Sequence, residues 1–136
     1  MSFIACQSKP KNPDHIMQDA YKDHVIAGYE KTIPMLEEIR ELKKKLNQLV
    51  GNTELVREEN KQEIEETIEL LEKMDKSINR WKASFSDPAK YRDIYSHKDI
   101  MDYLEKESSK IQSAQDHMGA SIDQANNLLV KYNKAQ

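Results

Sequence analysis

The stretch of residues 61–85 has the sequence KQEIEETIELLEKMDKSINRWKASF. Its apolar side chains and one threonine recur at alternating spacings of three and four residues: Ile64, Thr67, Leu71, Met74, Ile78, Trp81 and Phe85. A period of about 3.5 residues is typical of helices that pack side by side over many turns. The stretch therefore predicts a long amphipathic helix whose apolar face contacts other helices.

The same pattern lies on both sides of this stretch. In the first third of the chain it comprises Ile26, Tyr29, Ile33, Leu36, Ile39, Leu42, Leu46 and Leu49. In the last third it comprises Leu104, Ser108, Ile111, Gln115, Met118, Ile122, Ala125, Leu129 and Tyr132. We predict three helices over about residues 14–50, 53–85 and 97–133. Because helices of matched length bury a continuous face only against each other, the predicted fold is all-α, an antiparallel up-down-up bundle of three long helices.

Helix ends are marked by the few residues that break helices. The 136 residues include only 3 Gly and 4 Pro, too few for the turns of an all-β domain. Asn12 is predicted to cap the first helix, with Pro13 as its first residue. Gly51 is predicted to end this helix in the left-handed backbone conformation. Ser96 precedes Asp99 by the spacing of a capping box, and Asp87-Pro88 could start a single turn.

Pro34 lies inside the first predicted helix. It removes one backbone donor and crowds the carbonyl of residue 30, at a cost of about 3 kcal/mol in a straight helix. Gly28 weakens the same stretch. We therefore predict a kink near residues 30–34, or a break that makes residues 14–31 a separate helix.

The charge composition limits the classes of partner. Lys and Arg number 21 and Asp and Glu 24, giving a net charge of −3. This balance, with few aromatics among the basic residues, does not favour nucleic-acid binding. No apolar run approaches the roughly 18 residues of a spanning helix. The dense charges of residues 54–73 are interpreted as a solvated helix face.

The N-terminal Phe3-Ile4-Ala5-Cys6 resembles the end of a bacterial lipoprotein signal peptide, with Phe3 in place of the usual leucine. In that family the cysteine thiol receives a diacylglyceryl group, the leader is cleaved before it, and the new amino terminus is acylated. A complete leader needs an apolar segment of about 7–15 residues, so Ser2 to Ala5 are interpreted as the end of a truncated one. We therefore predict lipid attachment at Cys6. Residues 1–13 form this leader end plus a flexible tether, and residues 14–136 form the bundle domain.

A wider resemblance covers most of the chain. It is carried by Ile33-Pro34-Met35-Leu36 before the Leu42–Leu46 run, by Trp81-Lys82-Ala83-Ser84-Phe85, and by two stretches of the last helix, residues 103–105 and 121–129. In these parts and their order the chain resembles small helical lipoproteins of Bacteroidota-type bacteria, some of which are labelled "viral A-type inclusion protein" from coiled-coil similarity alone. Lys82 departs from the family, which more often has Met there. The resemblance implies an envelope lipoprotein of undetermined biochemical role and supplies no active site.

No catalytic, cofactor-binding or metal-binding residue is predicted. The pairs Asp14-His15 and Asp23-His24 are nine residues apart, which places them on opposite sides of a helix. His15 with Asp19 is interpreted as an exposed pair. No glycine-rich phosphate loop or nucleophile–base pair is evident.

Aromatic residues cluster where the second predicted helix ends and the third begins: Trp81, Phe85, Tyr91 and Tyr95, with Tyr103 and Tyr29 near them. Two interpretations stay open. These side chains either pack the connection at residues 86–96 onto the bundle, or leave part of the cluster exposed as a patch for a protein partner.

Together these patterns favour a non-enzymatic protein of the bacterial cell envelope, anchored in the membrane through acylated Cys6, whose bundle is an interaction or spacer module. One alternative is a soluble cytoplasmic coiled-coil protein that self-associates, since heptads can also join two chains. A further alternative is a helical bundle that binds a small ligand or a metal in its core. No cofactor is predicted.

Overall fold

A computed structural model describes residues 12–133, and the regular secondary structure of these residues is entirely helical. The four α-helices are α1 (Pro13–Glu30), α2 (Thr32–Val50), α3 (Lys61–Ser84) and α4 (His97–Asn133). Two 3₁₀ helices, Glu58–Asn60 and Pro88–Tyr91, lie in the connections before and after α3. The predicted all-α class is confirmed.

The first predicted helix is interrupted at Lys31, between α1 and α2. Pro34 consequently falls in the first turn of α2, where a missing backbone N–H needs no partner. The buried Thr32 hydroxyl donates a 2.6 Å hydrogen bond to the carbonyl of Tyr29, close to the end of α1. The predicted kink or break near Pro34 is confirmed, since the helical segment is bent at Lys31.

Two helix starts follow the capping signals of the sequence. The Asn12 side chain accepts a 2.8 Å hydrogen bond from the amide of Asp14, with Pro13 as the first helical residue. The amide of Asp99 donates to Ser96 Oγ at 3.1 Å, and α4 begins at His97. Both predicted caps are confirmed, because each side chain satisfies an amide that the helix leaves without a partner.

The predicted start of the second long helix at residue 53 is wrong, since α3 begins at Lys61. Asn52 uses its side-chain oxygen to accept from the amide of Glu54, and its carbonyl accepts from the amide of Val56, so the chain turns here. The turn places Val56 in the core with 1% exposure. Gly51 is right-handed, with φ of −81°, so the left-handed ending predicted for it is also wrong.

One apolar core runs through the helices. Its fully buried members include residues of every α-helix: Val25, Ile39, Leu46, Ile64, Leu71, Ile78, Ile111, Met118 and Ala125. Most residues of the predicted apolar stripes are buried or half-buried. Ile33 departs from the stripe with 43% exposure, because it stands beside the break between α1 and α2.

Polar contacts bridge two of the packed pairs of helices, α2 with α3 and α3 with α4. Between α2 and α3, Arg40 donates to both carboxylate oxygens of Asp75 at 3.0 and 3.1 Å. Between α3 and α4, the Gln124 amide donates to Thr67 Oγ1 at 2.9 Å. No helix within residues 12–133 has the length and apolar character needed to cross a bilayer.

Candidate functional site: the proximal end of the bundle

Three segments of the chain meet at one end of the molecule: the first turns of α1, the connection between α3 and α4, and the first turns of α4. We call this region the proximal end, because the chain that leads back to Cys6 joins α1 here. Lys22 of α1 approaches the Asp87 carboxylate at 3.6 Å, and α1 also contacts the 3₁₀ helix Pro88–Tyr91. The amide of Ala89 donates to Asp87 and, together with Lys22, lowers the pKa of this carboxyl from its ordinary value.

A polar cluster joins the three segments. Gln18 is 2% exposed, and its side-chain oxygen accepts a 2.8 Å hydrogen bond from Arg92 Nε. Because arginine only donates, the Gln18 nitrogen is left to donate to His97 Nδ1, 3.0 Å away. Arg92 also donates to the Asp19 carboxylate at 2.6 Å and to the carbonyl of His15 at 3.4 Å. This cluster fixes the start of α1 against the connection and the start of α4.

An aromatic stack lies beneath the connection. The Trp81 ring stacks between Tyr29 and Phe85, with centroid distances of 5.5 and 5.0 Å, and Phe85 in turn stacks on Tyr103 at 6.1 Å. The Trp81 indole N–H donates a 2.6 Å hydrogen bond to the buried carboxylate of Glu107. The stack therefore couples α1, α3 and α4, and the polar atoms of Trp81 and Tyr103 are hydrogen-bonded.

A second aromatic group lines a cavity of about 470 Å³ next to this stack. Tyr91 and Tyr95 lie 5.9 Å apart, and Tyr91 donates its hydroxyl to Ser86 at 3.3 Å. The amide of Ser86 donates to the Tyr103 hydroxyl at 3.1 Å, so the connection is tied to α4. Pro88 and Ile100 complete the apolar part of the cavity wall.

The four residues of the predicted partner patch have different surroundings. Trp81 is 8% exposed and belongs to the core, whereas Phe85 and Tyr91 are half-buried. Tyr95 is 53% exposed. Both open interpretations thus have support, since the cluster packs the connection onto the bundle and Tyr95 still faces outward.

The structure also reveals residues that sequence reasoning missed. Ile94 is 71% exposed beside Tyr95, and Ile16 and Met17 are 50% and 53% exposed at the start of α1. Ile16 and Met17 lie before Ile26, the first residue of the predicted apolar stripe. Their position outside this stripe was the sequence signal that their side chains are exposed. Gln18 had no signal, because its partners Arg92 and His97 lie more than 70 residues away in sequence.

A shallow groove of about 600 Å³ runs along the outer face between α3 and α4. Its cationic and imidazole side chains are Arg80, Lys106, Lys110 and His117, and no carboxylate is among its lining residues. The apolar part of its lining includes Trp81. Because Lys110 pairs with the Glu107 carboxylate at 3.0 Å, the positive charge of the groove comes mainly from Arg80 and Lys106.

Two sequence expectations concern lipid and metal. The predicted lipid-attachment residue Cys6 lies outside the described residues. Asp19, considered with His15, instead pairs with Arg92. Within residues 12–133, no group of three His, Cys, Asp or Glu side chains is placed to hold a metal ion.

The structure is an all-helical bundle in which one end combines a buried polar cluster, an aromatic stack and exposed apolar side chains. No protein-family model, curated protein or solved structure matches this chain. The resemblance to small helical bacterial lipoproteins remains an expectation from the sequence.

Proposed function

We propose that this chain is a non-enzymatic, lipid-anchored protein of the bacterial cell envelope, whose helical bundle is an interaction or spacer module. The observation that carries the proposal is the lipobox-like Phe3-Ile4-Ala5-Cys6, followed by the polar segment Gln7–Lys11 and then by a capped helix at Asn12. A polar segment between an acylated cysteine and a folded body serves as a tether. Several acyl chains on one residue give stable anchoring without a spanning helix.

The arrangement proposed for the bundle is up-down-up, with α1 and α2 together as its first long segment. Residues that pair between α2 and α3 run in opposite order, since Arg40 meets Asp75 and the later Lys43 meets the earlier Glu72. The same holds between α3 and α4, where Thr67 meets Gln124 while Trp81 meets Glu107.

Between α1 and α4 the paired residues run in the same order. Gln18 meets His97, and ten residues later Gly28 meets Gln115, whose side-chain amide donates to its carbonyl at 2.7 Å. With 37 residues, α4 is about 55 Å long at 1.5 Å per residue. A bundle of this length holds its far end well away from a membrane, which suits a spacer.

The interaction role is supported by the basic groove between α3 and α4. Its apolar floor and cationic rim fit a partner that carries both apolar and acidic side chains. Substituting Arg80 and Lys106 with glutamate reverses the charge of the rim at two exposed positions. We expect these substitutions to weaken capture of native partners without changing the helix content.

Metabolic labelling with radioactive palmitate tests the anchoring. We expect label on the wild-type protein in cells of its native host and none on a Cys6→Ser variant, because a thiol is the lipid acceptor. The wild-type protein should also move into the detergent phase of a phase-partition experiment, while the variant stays in the aqueous phase. Unlabelled wild-type protein in the soluble fraction would contradict the proposal and favour the soluble, self-associating alternative.

A further inference from the structure

Exposed apolar side chains are concentrated at the proximal end. Six large hydrophobic residues in the described part of the chain are strongly exposed: Ile16, Met17, Ile33, Ile94, Tyr95 and Val130. Four of them lie at the proximal end, two in the first turn and a half of α1 and two in the connection before α4. Polar contacts of Arg92 with Asp19 and Gln18 hold these two segments next to each other.

The exit of the chain restricts which end can reach a membrane. Cys6 and Asn12 are six residues apart, and a fully extended chain covers at most about 3.5 Å per residue, or about 20 Å in all. The other end of α4 lies roughly 55 Å from the proximal end, given its 37 residues. A lipid on Cys6 therefore keeps the proximal end, and not the opposite end, close to the bilayer.

We infer that the proximal end is a lipid-binding surface, with Ile94, Tyr95, Ile16 and Met17 in contact with the interface of a bilayer of zwitterionic phospholipid. This inference builds on the proposed anchoring at Cys6. A tyrosine combines an apolar ring with a polar hydroxyl and suits the headgroup level of a membrane. Isoleucine and methionine gain free energy when they leave water for the acyl region.

The backbone amides of Ile94 and Tyr95 are already hydrogen-bonded, which lowers the cost of moving the apolar tip out of water. The amides of Ile94 and Tyr95 both donate to the carbonyl of Tyr91, at 3.0 and 2.8 Å. An unpaired backbone amide would be costly in the interface, whereas a hydrogen-bonded turn is not. Because the polar cluster holds the two apolar segments next to each other, they can bind together.

The charges at this end favour neutral rather than anionic lipid. Over residues 12–22 and 87–102 there are six Asp and four Lys or Arg, and three of the four cations are paired with a carboxylate of the same chain. An excess of carboxylates is repelled by anionic headgroups. The expected attraction is therefore apolar and insensitive to salt.

The single cysteine allows a direct test that does not require acylation in cells. We would couple Cys6 of the full chain to maleimide-bearing lipid in phosphatidylcholine vesicles that contain a dansyl-labelled lipid. Energy transfer from Trp81, which is the sole tryptophan and lies under the proximal end, then reports the distance of that end from the bilayer.

We compare wild type with Ile94→Asp, and with Val130→Asp as the matched control. Val130 is 52% exposed but lies in the last turns of α4, far from the proximal end. We expect Ile94→Asp to shift the equilibrium toward the unbound proximal end by about tenfold, since it replaces an inserted apolar group with a charge. Energy transfer from Trp81 to the dansyl-labelled lipid should therefore decrease. Val130→Asp should match wild type, and circular dichroism should show equal helix content in all three.

Equal transfer in wild type and Ile94→Asp would overturn the inference, and so would equal loss in both variants. Loss of transfer in wild type at high salt would also overturn it, because apolar contact does not depend on salt. Because chemical coupling replaces acylation, a negative result here would leave the anchoring at Cys6 untouched. A failed palmitate labelling would in turn leave the vesicle result standing.

Discussion

Replacing Glu107 with alanine leaves the indole N–H of Trp81 without an acceptor inside the protein. Trp81 and Glu107 are 8% and 6% exposed, and their hydrogen bond is 2.6 Å long. The second Glu107 oxygen accepts from Lys110 at 3.0 Å, but the Lys110 side chain is 53% exposed and adds little. The buried bond to the indole therefore dominates the effect of the substitution.

The expected change in the free energy of unfolding follows from the cost of losing this hydrogen bond. A hydrogen bond to a charged group contributes about 1.5–3 kcal/mol, and an unsatisfied buried donor costs about 1–3 kcal/mol. Removing the carboxylate also removes its own desolvation cost, which offsets part of this loss. We expect Glu107→Ala to lower the free energy of unfolding by about 2 kcal/mol, which for a chain of this size lowers the Tm by about 6 °C. Glu107→Gln keeps an oxygen acceptor and should lose only about 1 kcal/mol.

A double-mutant cycle with Trp81→Phe isolates the bond from the loss of ring area. Urea unfolding followed by far-UV circular dichroism gives the free energy of unfolding of wild type, each single variant and the double variant. In the Trp81→Phe background the indole donor is gone, so the Glu107→Ala substitution should cost about 1.5–2 kcal/mol less than in wild type. Additivity of the two substitutions within about 0.5 kcal/mol would refute the account of the stack.

The remaining predictions concern acid stability and two glycines. Hydrogen bonds from Arg40 are the largest cause of a pKa of Asp75 below its ordinary 3.8, so the stability from this pair is present above about pH 4 and lost as pH falls through the folded-state pKa. Asp75→Asn should therefore flatten the loss of Tm between neutral and acidic pH, and an unchanged pH profile would contradict the pairing. A Cβ at Gly28 would meet Ile111 Cγ2 at 3.0 Å, so Gly28→Ala should lower stability by about 1 kcal/mol. A Cβ at Gly119 would meet Met35 Cε at 4.0 Å, an ordinary van der Waals contact, so Gly119→Ala should raise stability by about 0.5–1 kcal/mol. The same sign for both substitutions in urea unfolding would refute the packing of α1 on α4.

Features that depend on neighbours in sequence could be predicted from the sequence. The caps at Asn12 and Ser96 and the break near Pro34 each follow from a few adjacent residues. The apolar period likewise indicates buried faces without any knowledge of the partner helix. The start of α3 could not be placed from the sequence. Asn52 caps a turn that is stabilised by the burial of Val56 against helices elsewhere in the chain.

Features that depend on distant residues could not be predicted. Glu107 has the sequence surroundings of a solvent-exposed residue, and it is buried only because Trp81 donates to it from another helix. Gln18 is likewise buried by partners that lie 74 and 79 residues away. The aromatic cluster could be located from the sequence, but which of its members face outward depends on how the connection at residues 85–96 folds back on the bundle.

Mass spectrometry of the native protein, extracted with detergent from cells of its host, shows whether Cys6 is acylated. We expect an N-terminal peptide that begins at Cys6 and carries a diacylglyceryl group on its sulfur. We also expect this peptide to disappear in the Cys6→Ser variant. A native protein that retains residues before Cys6 and has a free thiol would contradict the account.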